Sequence, residues 1–320
     1  MDCSLELPGV NRAPAGTTVE LTIQFGAPAV LMEPEVPGLT RILRGGDCSV
    51  DYGPFARFTI TADGSYVHVT PGAGVGTSML RHIVIDHVIP RRFALIGRVA
   101  LHATAIDVGN GAVAFMGVSG RGKSTLSAAL VAAGGNWVAD DFLLLDTTGA
   151  EISVVPTIVA TRLCEDSASA LGLLHRDAEV IFTGAAKRRW TVIGADGPVP
   201  LRALVVLDRR TDADGPVTCS RLGPGESLAE IAPQWFLAET GAVSPATMLR
   251  TLGSVLQEVP VIRLSYPTSL DRLNNVVSAV HAIVGQIHPM LVGAVSASVA
   301  ACAIAPAPVL SFAAWKGGET

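Results

Sequence analysis

The sequence predicts an α/β fold with a central mixed sheet, preceded by a small α+β unit. A short apolar segment, 112–116, runs directly into a glycine-rich loop and then into a helical pattern. The segment 137–146 is again strongly apolar and has the length of a strand. Before residue 78, short runs of β-forming residues alternate with Gly, Pro and Asp. Strand, helix and strand in alternation are typical of α/β proteins.

The glycine-rich loop 117–124 has the complete pattern G-x-x-x-x-G-K-S. Glycines let the backbone turn its N–H groups around a polyphosphate, and the N-terminus of the following helix attracts negative charge. Lys123 supplies a mobile positive charge, and Ser124 a hydroxyl for Mg²⁺. We therefore predict a bound nucleotide. The predicted contacts are Gly117, Val118, Ser119, Gly120, Arg121, Gly122, Lys123, Ser124 and Thr125.

Composition restricts the possible partners. The 320 residues carry a net charge of −5 and only 16% charged residues, so there is no basic surface of the kind that nucleic acids require. The five cysteines are scattered and form no C-x-x-C pair, which predicts neither a disulfide framework nor a zinc site. The N-terminus has no basic segment followed by an apolar core, so we expect a cytoplasmic protein without a secretory signal.

Three regions are predicted along the chain: a small β-rich domain at 1–78, a phosphate-loop domain at 79–287 and a tail at 288–320. Residues 291–315 carry no charge, and this span is long enough to cross a bilayer. Its composition is mainly Ala, Val and Ser, and Pro306 and Pro308 fall inside it, so a membrane role is not favoured. We expect a poorly ordered tail or a segment docked on a partner.

Elements within these regions follow from local patterns. A helical stretch is predicted at 79–99, interrupted near Pro90. Runs of β-forming residues bounded by turn residues predict the other strands, and helical spacing predicts two helices in the last third. The strands are 19–25, 55–61, 66–70, 153–155, 179–182, 190–193, 204–207 and 261–264, and the helices are 228–239 and 270–287.

Asp140 and Asp141 lie in the middle of 137–146, which is apolar enough to predict a central strand. Two carboxylates at such a place need partners, because burying a charge is costly. One of them could hold the metal while the other takes a proton from an attacking hydroxyl. The alternative is that one is functional and its neighbour caps a turn. His102 lies just before the strand that leads to the loop. It could be a functional residue or a hydrogen-bonded structural histidine.

The segment 101–146 resembles the core of the HPr kinase/phosphorylase family. In that family a histidine, a strand, the phosphate loop, a helix and a V-A-D-D strand occur in this order. The matching positions here are His102, 117–124 and 138–141. The similarity extends over about 85–285 and is strongest to the shorter, HPr kinase-like members. The stretch GVSGRGKSTLS is also similar to phosphoenolpyruvate carboxykinases, which share this core.

The resemblance implies Mg²⁺-dependent transfer of a phosphoryl group from ATP to a serine hydroxyl. It implies Asp140 as general base and Asp141 as metal ligand beside Ser124, with the order within the pair left open. Lys123 and His102 would also be catalytic. Arg188 would be a possible phosphate contact.

The implied substrate is a peptide or protein with an acceptor serine, such as the precursor of a ribosomally made peptide, and a homo-oligomer is implied by analogy. The chain lacks the glycine-rich E-x-R-G-x-G stretch of the full-length family, so HPr itself is not implied. Two other functions stay open. One is a nucleotide-responsive regulator without an acceptor, and the other is a kinase of free serine or a similar metabolite.

Overall fold

The computed structural model describes residues 2–3, 21–32, 39–118, 120–157, 160–170, 178–180, 187–192, 194–210, 215–240, 242–267, 269 and 272–290. Over these residues the protein is a mixed α/β structure, as predicted. The strands are β1 Asp2–Cys3, β2 Thr22–Phe25, β3 Leu39–Ile42, β4 Cys48–Asp51, β5 Ala56–Ile60, β6 Tyr66–Pro71, β7 Val99–Leu101, β8 Thr104–Asp107, β9 Ala112–Met116, β10 Asn136–Ala139, β11 Leu143–Asp146, β12 Ser153–Val155, β13 Ala160–Cys164, β14 Ala178–Val180, β15 Lys187–Thr191, β16 Val199–Arg210, β17 Thr218–Arg221 and β18 Val261–Pro267. The helices are α1 Thr77–Ile83, α2 Ile89–Leu95, α3 Lys123–Ala132, α4 Glu165–Ala170, α5 Pro224–Ile231, α6 Pro245–Glu258 and α7 Leu273–Met290.

The N-terminal sheet has the strand order β1-β2-β6-β5-β4-β3. Strands β3 to β6 form an antiparallel meander, and β2 adds to β6 in parallel. In β5, Ala56, Phe58 and Ile60 are buried while Arg57 is exposed, so one face of this sheet packs inward.

The central sheet has the order β10-β8-β9-β16-β12-β11-β7, and β18 joins it beside β16. Strands β9, β16 and β18 run parallel, whereas β8 and β12 are antiparallel to their neighbours. All five residues of β9 are buried, as expected for a strand covered on both faces. Helices α3 and α7 pack together over this part of the sheet, with Leu126 and Leu130 of α3 in the core. The sheet thus holds the phosphate-loop sequence at the carboxyl end of β9.

The helical segment 77–95 connects the two sheets. Its α1 and α2 parts are joined by a π-helical turn, Val84–Val88. Ile83 and Val88 belong to the same core cluster as Phe58 of the N-terminal sheet and Leu143 of the central sheet. The interruption predicted near Pro90 therefore lies earlier, at the π-helical turn, and Pro90 stands in the first turn of α2.

The segment 137–146 is not one central strand. It forms two strands, β10 at the edge of the central sheet and β11. Asp140 and Asp141 lie between them, outside any strand. Asp141 has φ +58°, a left-handed conformation that aspartate tolerates better than most residues. Hydrophobicity alone predicts one strand. In the structure, Asp140 and Asp141 instead form hydrogen bonds with Thr104 and the Arg162 backbone, and no strand pairing is made at these two residues.

Two helix predictions also need correction. The helix predicted at 228–239 begins at Pro224 and ends at Ile231, because Pro233 removes a backbone donor just beyond it. Helix α6 was not predicted at all, although Ser244 caps its N-terminus by accepting a hydrogen bond from the Thr247 N–H. No helix within the described ranges combines the length and the apolar character needed to cross a membrane. The predicted tail lies outside those ranges from residue 291 onward.

Candidate active site

The loop between β9 and α3 depends on glycine. Gly120 and Gly122 have φ of +85° and +92°, which side-chain-bearing residues rarely adopt. At Gly122 there is a second reason, since a Cβ there would lie 2.9 Å from the Tyr266 hydroxyl oxygen. That hydroxyl donates a hydrogen bond to the Arg121 carbonyl oxygen. Tyr266, from β18, therefore fixes the turn that precedes α3.

Lys123 and Ser124 are the first residues of α3, and both are buried. The Lys123 Nζ donates to the Gly117 carbonyl oxygen at 2.7 Å, so the side chain folds back across the loop. Burial lowers the pKa of Lys123, while the nearby charge of Asp141 opposes this shift. The ammonium group thus lies between the loop and the carboxylates.

Asp140 is enclosed on all sides, with 2% of the residue exposed. Its Oδ1 accepts a hydrogen bond from the Thr104 hydroxyl at 2.8 Å. Its Oδ2 accepts two more, from the Thr161 hydroxyl at 3.0 Å and from the Arg162 backbone N–H at 3.2 Å. Burial, reinforced by the charge of Asp141, raises the pKa of Asp140 to about 6 despite these donors.

Asp141 has the opposite electrostatic character. Its carboxylate forms an ion pair with the Arg162 guanidinium, and its Oδ1 lies 3.9 Å from His102 Nε2. Burial favours a raised pKa, but Arg162, followed by His102, holds the pKa of Asp141 below its ordinary value. Adjacent residues thus provide one carboxylate that titrates near neutral pH and one that stays charged.

His102 lies in the turn between β7 and β8. Its backbone N–H donates to the Gln234 carbonyl oxygen at 2.7 Å, and its ring meets the Phe236 ring edge-on with centroids 6.2 Å apart. Burial lowers the pKa of His102, while the charge of Asp141 opposes this shift. Its side chain is 42% exposed, more than that of Asp141 at 15%. His102 therefore marks the solvent side of the carboxylate pair.

Arg162 on β13 is a site residue that the sequence reasoning missed. One guanidinium nitrogen pairs with Asp141, and Nη1 lies 3.0 Å from Asp86 Oδ2. Although burial opposes it, Asp86 and Asp141 raise the pKa of Arg162, so the side chain stays charged. The sequence does offer one indication of its role, because Arg162 is a single arginine in an apolar stretch. A buried arginine needs carboxylate partners, but the sequence does not show where in the chain those partners are.

The remaining predicted residues are placed as follows. Arg188 is on β15 and forms an ion pair with Glu165 at 2.8 Å, with 45% of its side chain exposed. The charge of its neighbour Lys187 helps to lower the pKa of Lys123. The Thr125 hydroxyl is hydrogen-bonded to the Ser167 hydroxyl of α4 at 3.0 Å. Contacts of Arg188 and Thr125 with phosphate stay predictions. Val118 is 65% exposed, and Ser119 lies outside the described residues.

A magnesium ion fits the chemistry of this site. Across the described part of the chain, no group of three or more His, Cys, Asp and Glu side chains is arranged to hold a metal ion. Magnesium does not need such a group, since it keeps several waters and is held by one or two carboxylates together with substrate phosphates. The charged carboxylate of Asp141 and the hydroxyl of Ser124 are oxygen donors of that kind.

No family model matches the sequence, and no curated protein matches it. Among solved structures, the chain is similar to the Hpr(Ser) kinase/phosphatase from Coxiella burnetii, with 12% identity over 61% of this chain and 99% of that one and a TM-score of 0.31. A TM-score this low carries no argument about function, so the function must be argued from the site.

Proposed function

We propose that this protein is a magnesium-dependent serine kinase that transfers the γ-phosphoryl group of ATP to a peptide or protein. One observation carries the proposal: a phosphate-loop sequence adjoins two adjacent carboxylates whose pKa values shift in opposite directions. The charges of both carboxylates act on Lys123, which supports a joint role for the pair and the loop. Two neighbouring carboxylates whose pKa values are shifted apart are typical of acid–base sites.

The loop and the start of α3 bind the phosphates in this proposal. The backbone N–H groups around Gly120 and Gly122 and the N-terminus of α3 attract the phosphate oxygens. Lys123 exchanges its hydrogen bond to the Gly117 carbonyl for one to an outer phosphate. Ser124 and Asp141 hold Mg²⁺, which when bound neutralises part of the charge on the phosphates.

Asp140 is the proposed general base. With a pKa of about 6 it is largely deprotonated at pH 7 and can accept the proton of an acceptor hydroxyl. Three donors occupy three of the about four acceptor positions of the carboxylate, and the position left is on Oδ1, to which only the Thr104 hydroxyl donates among the three. Because Asp140 is 2% exposed, the acceptor hydroxyl reaches that position only after neighbouring side chains move. The ring of His102 lies on the exposed side, where an acceptor would enter.

The choice of a serine in a peptide or protein as acceptor is supported by the sequence resemblance to HPr kinase-like proteins. A nucleotide-responsive regulator is the second candidate, and the burial of Asp140 favours it. A carboxylate that is 2% exposed and accepts three hydrogen bonds can also serve as a structural anchor that holds β8 and β13 together. In that case the protein binds ATP and transfers nothing.

The fate of the γ-phosphoryl group distinguishes these functions. The purified protein is incubated with γ-labelled ATP and MgCl₂ in three mixtures: with serine-containing peptides, with free serine, and with neither. Lys123→Ala serves as the control. Label on a peptide serine supports the proposal, and label on free serine would make the protein a small-molecule kinase. ATP that is bound but not consumed in any mixture would support the regulator.

A further inference from the structure

A buried carboxylate lies on the far side of Arg162 from the phosphate loop. Asp86 belongs to the π-helical turn between α1 and α2, and its side chain is 6% exposed. Such π-helical turns are rare and occur often at functional sites. Asp86 plays no part in the reaction proposed above, yet burying its charge is costly and needs an explanation.

Two guanidinium groups and an imidazole converge on one oxygen of Asp86. His82 Nδ1 lies 2.5 Å from Oδ2, Arg162 Nη1 lies 3.0 Å from it and Arg189 Nη2 lies 3.7 Å from it. Although burial acts in the opposite direction, the hydrogen bond from His82 and the charge of Arg162 lower the pKa of Asp86. Asp86 is therefore ionised and binds its partners as a charged group.

Arg162 is shared between two carboxylates. It reaches Asp86 with Nη1 and Asp141 with its other terminal nitrogen. The side chain is 17% exposed, so water screens these interactions weakly. The two carboxylates compete for one positive charge, and a change at either end alters the interaction at the other end.

We propose that Asp86 is a positioning residue that draws the charge of Arg162 away from Asp141 and so keeps Asp141 available to Mg²⁺. This inference rests on the proposed function, because it assumes that Asp141 holds the magnesium ion of a bound nucleotide. Without Asp86, Arg162 pairs with Asp141 alone, and Mg²⁺ must displace a stronger ion pair. The helical segment 77–95 thereby affects a site to which it contributes no catalytic residue.

The test is the Mg²⁺ concentration that gives half-maximal binding of a non-hydrolysable ATP analogue, measured by titration calorimetry. Asp86→Asn keeps the shape of the side chain and removes its charge. We expect this concentration to rise on the order of three- to tenfold, the range typical of coupled charged groups. Nucleotide binding without Mg²⁺ should change less, because Asp86 acts through the metal ligand.

Arg189→Met is the matched control. It disturbs the same buried cluster, but it leaves the Asp86 carboxylate to Arg162, so the half-maximal Mg²⁺ concentration should stay the same or fall. The double variant Asp86→Asn with Arg162→Met should reverse the rise, since no guanidinium then competes for Asp141. If Asp86→Asn alone does not fold, Arg189→Met still tests the proposal, because it keeps the charges of both Asp86 and Arg162.

The outcomes are distinct. An unchanged Mg²⁺ dependence in Asp86→Asn, with normal binding by the wild type, overturns the positioning role and leaves the proposed function standing. A rise in Arg189→Met or in the double variant also overturns it. A wild-type protein that binds no ATP analogue at any Mg²⁺ concentration overturns the proposed function, and the inference fails with it.

Discussion

At the residue scale, the parts of the site that are local in sequence are the parts that could be predicted. The loop pattern and the adjacent Asp140 and Asp141 are visible in the sequence because a few neighbouring residues define each of them. The environments that shift the pKa values of the two carboxylates in opposite directions are not visible in the sequence. They depend on Thr161 and Arg162, which follow about 20 residues later on β13.

Gly122 offers a test of the loop geometry. Gly122→Ala places a Cβ in a left-handed conformation and 2.9 Å from the Tyr266 hydroxyl, whereas Gly120→Ala meets no atom within 4 Å. Both variants pay backbone strain of about 1–3 kcal/mol, and Gly122→Ala should lose more ATP affinity than Gly120→Ala. Calorimetric titration with ATP checks this. Equal losses would show that the contact with Tyr266 does not fix the loop.

Lys123→Ala should abolish detectable ATP binding and turnover together. In the proposed function the ammonium group is the mobile positive charge that binds the outer phosphates, and no backbone N–H can replace it. The measurement is equilibrium ATP binding beside a turnover assay, with circular dichroism to verify folding. If a folded Lys123→Ala protein binds ATP as tightly as the wild type, Lys123 is not part of the nucleotide-binding site.

At the scale of elements, hydrophobic pattern predicted where strands occur but not where they break. The segment 137–146 was interpreted as one strand because its apolar residues outnumber its charges. The break between β10 and β11 is set by partners elsewhere in the chain. The same holds for the helical segment 77–95, whose Asp86 is paired with Arg162 at a separation of 76 residues. Sequence patterns over a dozen residues carry no information about such pairs.

The Asp86 cluster predicts how stability depends on pH. The folded-state pKa of Asp86 is below its ordinary value of 3.8, so the stabilisation is fully present above about pH 4 and is lost as the pH falls through the folded-state pKa. The groups that face Asp86 are His82 on its own segment, Arg162 on β13 and Arg189 on β15. Removing one partner of a buried pair costs about 3–5 kcal/mol.

Asp86→Asn should therefore lower the free energy of unfolding strongly at pH 7 and less at pH 3, where the pH is below the ordinary pKa of aspartate. Urea unfolding of both proteins at the two pH values gives the comparison. Arg57→Ala is a suitable control, because its ion pair with Asp51 is exposed and should contribute little at either pH. A loss that is equal at pH 7 and pH 3 would mean that the charge of Asp86 does not stabilise the fold.

At the scale of the whole molecule, the N-terminal and central sheets contribute to one hydrophobic core cluster, and β13, which carries Arg162, belongs to a third sheet with β14 and β15. Residues from four separate stretches meet at the site: the loop with α3, the break after β10, the turn before β8, and β13. Every contact described for the site is made by residues before 290. The contribution of the N-terminal sheet passes through the helical segment 77–95, whose hydrophobic residues join both sheets.

Removal of residues 291–320 should therefore leave ATP affinity and turnover within about twofold of the full chain, as is common for terminal segments. Sedimentation with lipid vesicles before and after the deletion provides the second measurement. Vesicle binding by the full chain that disappears on deletion would instead indicate that the uncharged segment 291–315 binds a membrane.

The central claim is that the two adjacent carboxylates do chemistry on a nucleotide held by the loop. Asp140→Asn tests it most directly when ATP binding and transfer of the γ-label are measured on the same preparation. Our account predicts binding close to that of the wild type and transfer slower by about 10²-fold or more, since the variant lacks the base but keeps the loop. Equal loss of binding and transfer, or transfer at the wild-type rate, would contradict the assignment of Asp140 as the base.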